Sequence, residues 1–137
     1  MRKSVLLISA FLLASCSEDS RVNIDRWYTQ EMVQQGKIIY QQNCAQCHGN
    51  SAQGAQDWQR PASDGRYLPP PLNGSGHAWH HPLSQLRDVI KNGRSPDITS
   101  DMPAWKSKLS DSEIDSVIAW FQSQWPDEIY SAWSRRK

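Results

Sequence analysis

Cys44-Ala45-Gln46-Cys47-His48 constrains this chain more than any other stretch. Two thiols lie three positions apart with an imidazole on the next residue, the C-x-x-C-H pattern of covalent haem attachment. The spacing lets one turn of chain span the porphyrin edge, with a thioether from each cysteine and the imidazole beneath the ring. The pentapeptide alone leaves other chemistry open: half of a zinc site, a thioredoxin-like redox pair, or a disulfide. Zinc would need two further ligands, and the remaining cysteine and histidines (Cys16, His77, His80 and His81) stand at unusual spacings. A thioredoxin-like pair needs a strand before it and a helix after it. Here a helix-like pattern runs up to Cys44, and Gly49, Asn50 and Ser51 come after His48.

The N-terminus bears on the compartment. Met1-Arg2-Lys3 is a short basic segment, Val5 to Ala14 is apolar, and Leu13-Ala14-Ser15-Cys16 closes the run. This order reads as an export signal over residues 1–15, and the apolar run is short of the ~20 residues that a spanning helix requires. An uncleaved membrane anchor is the alternative. The last four residues resemble the lipobox of bacterial lipoproteins, and that resemblance implies a lipid on Cys16, which becomes the first residue of the mature chain. Ser17 after Cys16 then favours the outer membrane over the inner one. With Cys16 acylated and Cys44 and Cys47 tied to haem, none of the three cysteines of this exported chain is left over. Loss of residues 1–15 removes Arg2 and Lys3 and no acid, which turns a net charge of +1 into about −1. No basic run points to nucleic acid. Residues 16–29 read as the lipidated N-terminus and a flexible tether, and the remainder of the chain suffices for one small domain.

No strand pattern or internal repeat stands out, so the expected fold class is all-α. The first helix is expected over residues 30–43, with Thr29 as N-cap and Met32, Gly36, Ile39, Tyr40 and Asn43 along one stripe. A second runs over 111–124. Ser110 and Glu113 form its capping box, and Ile114, Val117, Ile118 and Phe121 face inward. Gly36 inside a helix costs up to ~1 kcal/mol against Ala, and a close crossing of these two helices would explain it. A shorter helix begins at Pro82 in its first turn and ends before Gly93. Residues 50–76 form a long loop rich in Gly, Pro, Ser, Asn and Asp, the kind of segment that wraps a cofactor. Residues 125–137 read as a C-terminal extension, with a short helix over 127–134 that turns Ile129 and Trp133 inward.

A haem iron on His48 needs a group on its other face. Met102 is followed by Pro103, which stiffens the segment presenting the sulfur, and His/Met is a common axial pair. Met32 reads as packing. A core-filling role is the plain alternative for Met102.

Over residues 30–124 the chain resembles the class I, single-haem bacterial cytochromes c. The resemblance rests on Gly36, Tyr40, Cys44-x-x-Cys47-His48-Gly49, Pro70-Pro71-Leu72-Asn73-Gly74, Met102-Pro103 and Val117-Ile118-Ala119-Trp120. It implies a small cytochrome c fold of three to five helices around one covalent haem c. It implies a crossing of Gly36 and Tyr40 against Val117 and Trp120, and a proline-loop carbonyl, that of Pro70, accepting from the His48 ring. The sequence departs from the basic pattern in Trp79-His80-His81-Pro82 and in its seven tryptophans, of which Trp79 and Trp105 are possible neighbours of the ring or its propionates.

The expected role is therefore that of a periplasm-facing electron carrier, held to a membrane through Cys16. Redox partner proteins would dock at the haem edge, where Lys91, Arg94, Lys106 and Lys108 are possible contacts. With both axial positions filled, neither catalysis nor a small-molecule substrate is expected. Two alternatives stand beside it: a small haem enzyme or ligand sensor with an open sixth position, and a copper-handling protein using His77, His80 and His81.

Overall fold

Thr29 stops the chain's extended entry and starts α1 (Gln30–Asn43), its hydroxyl accepting from the Met32 amide at 3.2 Å. Ser110 does the same for α4 (Asp111–Ser123), where a reciprocal capping box with Glu113 satisfies two otherwise orphaned amides. Between them lie α2 (Ala45–His48), a 3-10 turn over Ala78–His80 and α3 (Leu83–Asn92); α5 (Asp127–Ser134) comes last. The computed structural model describes residues 25–94 and 100–136. The expected signal peptide, the lipid site at Cys16 and the first part of the tether fall outside the described residues. Among those residues no strand forms, only an isolated bridge between Pro61 and Tyr67, so the all-α class holds.

The pairing of α1 with α4 organises the core. A β-carbon on Gly36 would fall far inside van der Waals contact with the Ser116 carbonyl oxygen and 3.0 Å from Trp120 Cβ. Glycine is thus what lets the two backbones touch. Of the expected partners Val117 and Trp120, Trp120 is met; the atom nearest Gly36 belongs to Ser116, one residue before Val117, because at so close a crossing backbone meets backbone. Tyr40 lies against Trp120 with ring centroids 4.1 Å apart. Val33 packs on this core, while Met32, expected on the inner stripe, is only half-buried.

The α3 helix buries Leu86 and Ile90 and is tied to α4 by a bidentate Arg87–Asp115 pair at 2.5 and 2.9 Å. Pro82 is its N-cap rather than a first-turn residue. The α5 helix turns Tyr130 and Trp133 fully inward, with Ile129 half-buried. The segment before α1 packs as well, although the sequence assigned it to the tether. Arg26 bonds to Asp127 at 2.7 Å and lies 4.1 Å from the Tyr130 ring centroid. The Trp27 indole donates to Gln122 Oε1 at 2.6 Å. An Arg-Trp-Tyr run has enough apolar area and enough donors to dock beside a C-terminal helix, which a composition-based tether boundary overlooks.

Candidate haem site

Cys44 ends α1 and caps α2, so the pentapeptide continues directly from the core helix. Its turn closes through His48 N–H to the Cys44 carbonyl at 2.9 Å and Gly49 N–H to that of Ala45 at 2.8 Å. Cysteines three apart on one helical turn share a face. Gly49, at φ +81°, lets the chain leave immediately after the histidine. The departing segment is then held to α1. Tyr40 Oη donates to the Gly49 carbonyl at 3.0 Å, and Gln41 Nε2 to that of Asn50 at 2.8 Å.

His48 is buried, and its Nδ1 lies 2.9 Å from the Pro70 carbonyl oxygen. A carbonyl only accepts, so this bond places the ring proton on Nδ1 and leaves the Nε2 lone pair free. Burial lowers the histidine's pKa, with the Pro70 bond opposing in part, so the ring is neutral at physiological pH. An oriented, neutral imidazole with a fixed tautomer is what a metal ligand requires. Gly54 makes the approach possible: its φ is +69°, and a β-carbon there would meet the Pro70 carbonyl carbon at 2.6 Å. Backbone bonds from Leu72 N–H to the Ala52 carbonyl and from Ala55 N–H to that of Pro69 lock the proline loop beside the pentapeptide.

Both cysteines are unpaired; Cys44 is half-buried and Cys47 exposed. Burial and the neighbouring Cys47 push the Cys44 thiol up to about 11, so it stays protonated at neutral pH. Free thiols beside a neutral imidazole with an available Nε2 fit a covalently attached haem. Nothing in the local geometry favours the rivals. The α1 helix, not a strand, precedes Cys44, and among the described residues no three His, Cys, Asp or Glu side chains cluster so that they could hold an ion.

Met102 is half-buried and packs against the same core cluster as Cys44. Its segment is tied to the end of α3: Arg94 N–H donates to the Met102 carbonyl at 3.1 Å, and Trp105 N–H to that of Ile90 at 3.1 Å. Gly93 (φ +71°) permits this return, since a β-carbon there would lie 2.7 Å from the Met102 carbonyl oxygen.

The three remaining histidines do not converge on one point. The His80 ring lies on Trp79 at 3.9 Å between centroids, near Arg136, whereas His77 stacks on Trp58 at 5.3 Å and meets the edge of His81. Trp79 is therefore engaged by His80 and Arg136. Trp105 is buried beneath Lys108. Lys91 pairs with Asp111 at 2.7 Å, which draws it toward α4. Two tryptophans have a structural role that their spacing did not reveal. Trp125 donates its indole proton to the Leu72 carbonyl at 2.7 Å, and Trp133 to that of His81 at 2.8 Å. Both bond to main-chain atoms far away in sequence, which no local pattern encodes.

Residues 31–121 match the family model described as cytochrome c oxidase, cbb3-type, subunit III. Two curated relatives, each a cbb3-type cytochrome c oxidase subunit CcoP, come from Azospirillum sp. (strain B510) and Azospirillum brasilense. They are 35% and 33% identical to this chain over 88 residues, which is 64% of its length. The chain spans about a quarter (27%) of the length of either relative.

Proposed function

The chain belongs to the cbb3-type cytochrome c oxidase subunit III family, and from that premise we propose that it carries single electrons on one haem c. In this reading Cys44 and Cys47 hold the haem by thioethers, and His48 and Met102 are the axial ligands. The observation that carries it is the 2.9 Å bond between His48 Nδ1 and the Pro70 carbonyl, formed at a buried imidazole beside two free thiols. The proposal places one haem, at the one such pentapeptide in this sequence.

A bound haem would supply a one-electron iron(III)/iron(II) couple. The protein's part is to hold that couple still. Pro70 orients the imidazole and raises its basicity. Pro103 and the bonds from Arg94 and Trp105 stiffen the Met102 segment. The Tyr40 and Gln41 bonds fix the turn that carries His48. A site with both axial positions filled has little geometry to rearrange, which suits electron transfer rather than binding of oxygen or peroxide. Thioether ligation raises the reduction potential relative to two histidines.

Export to the periplasm and attachment to a membrane through lipid on Cys16 complete the proposal. Among the described residues no helix is long and apolar enough to cross a membrane. The relatives are named as oxidase subunits, and a respiratory electron acceptor is the partner class this suggests for the present chain. The test is purification of the expressed protein followed by denaturation. Haem that stays with the polypeptide, together with a reduced spectrum insensitive to carbon monoxide, is the expected result. Haem that dissociates, or carbon monoxide that binds rapidly, contradicts it.

A further inference from the structure

His77 stacks on the face of Trp58 with an interplanar angle of 16°, and the edge of its ring meets His81 at 5.3 Å between centroids. The charged or titratable groups that act on it are His81, His80 and Arg94, all cationic or potentially so. Among the described residues no carboxylate pairs with any of these four side chains. Burial, and after it the repulsion within this cluster, lowers the His77 pKa. An anion placed among these groups would reverse that.

The cluster's position says which anion. Gly76, next to His77, abuts the Pro71 carbonyl, and Pro71 comes directly after the residue that orients His48. Arg94 bonds through its amide to the Met102 carbonyl. The cationic groups thus sit between the proline loop and the methionine loop, the two segments that would flank the haem. A haem brings its own anions, two carboxylate side chains on one edge of the ring.

Resting on the haem reading above, we propose that His77, stacked on Trp58 and flanked by His81 and Arg94, receives the haem carboxylates and exchanges a proton in step with the iron's charge. A protonated His77 adds positive charge near the iron and disfavours the ferric state. The midpoint potential should therefore be higher at low pH and fall as pH rises through the histidine range. Proton and electron balance: reduction favours uptake of one proton from solvent at His77, and oxidation returns it.

The test is voltammetry of the holoprotein from pH 5 to 8, wild type against His77→Gln, alongside NMR titration of the His77 ring in the reduced wild-type holoprotein. The expected outcome is a potential that falls with pH in wild type, loss of at least half that slope in His77→Gln, and a His77 pKa above the ordinary value of 6.5. An unchanged slope in the variant, or a His77 pKa at or below the ordinary value in the haem-loaded protein, overturns the proposal and leaves the haem reading standing. Intact mass of the denatured sample separates the cases: absence of attached haem overturns both.

Discussion

The most consequential single atom in this protein is the Pro70 carbonyl oxygen. By accepting from His48 Nδ1 it sets which nitrogen is free, and a side chain that varied in tautomer or ring angle would make a poor axial ligand. In the proposed ligation by His48 and Met102, Met102→Ala should lower the midpoint potential by roughly a tenth of a volt or more, within the ~0.8 V that axial ligation spans in haem proteins. It should also admit carbon monoxide to the reduced iron; voltammetry with a carbon monoxide difference spectrum checks both. Tyr40→Phe removes the bond to the Gly49 carbonyl from a side chain with no solvent exposure. A loss of about 0.5–1.5 kcal/mol in denaturant unfolding of the holoprotein is expected, the net worth of one hydrogen bond, because the Gly49 carbonyl keeps its second bond from the Ala52 amide. Trp27→Phe should cost more, about 1–3 kcal/mol. Among the described residues it would strip the last hydrogen bond from the side chain of Gln122, whose buried Nε2 has no partner there.

Among the elements, the α1–α4 crossing decides the architecture. Gly36→Ala gains up to ~1 kcal/mol of helix propensity. It also drives a methyl group into the Ser116 carbonyl, and overpacking of about 1–3 kcal/mol or more should win. A lowered thermal midpoint is the expected reading, and a raised one would mean that the helices separate without penalty. Much of this level was legible in the sequence because its causes are local. Thr29 and the Ser110–Glu113 box mark helix starts through bonds three residues long, and Gly36 stands out against a helical period. The Pro70 contact was legible only through resemblance to a family. What stayed hidden depends on partners distant in the chain. Trp125 and Trp133 reach carbonyls more than fifty positions away, and Arg26 and Trp27 close on Gln122 and Asp127 across about a hundred. Composition marks such residues as bulky or charged but does not say what they meet. The same limit explains why the periodicity puts Met32 on the inner stripe although Val33 packs on the core: one residue is 100° of helix, and the crossing angle of α4 decides between them.

At the scale of the whole molecule, the α1–α4 core is flanked by a C-terminal helix and an Arg-Trp-Tyr segment that pack together. Lipid on Cys16 would tie that body to a membrane through residues outside the described structure. Cys16→Ser should release the protein from the membrane fraction of cells while its visible spectrum stays the same; continued membrane retention would point to an uncleaved anchor or a bound partner. The proposed electron-carrier role rests on the iron having one nitrogen and one thioether ligand, with both positions filled. Near-infrared magnetic circular dichroism of the ferric protein reads that pair directly. A low-spin band at the position characteristic of histidine–methionine ligation is the predicted result. A bis-nitrogen band, or a high-spin signal from an open iron, would contradict it.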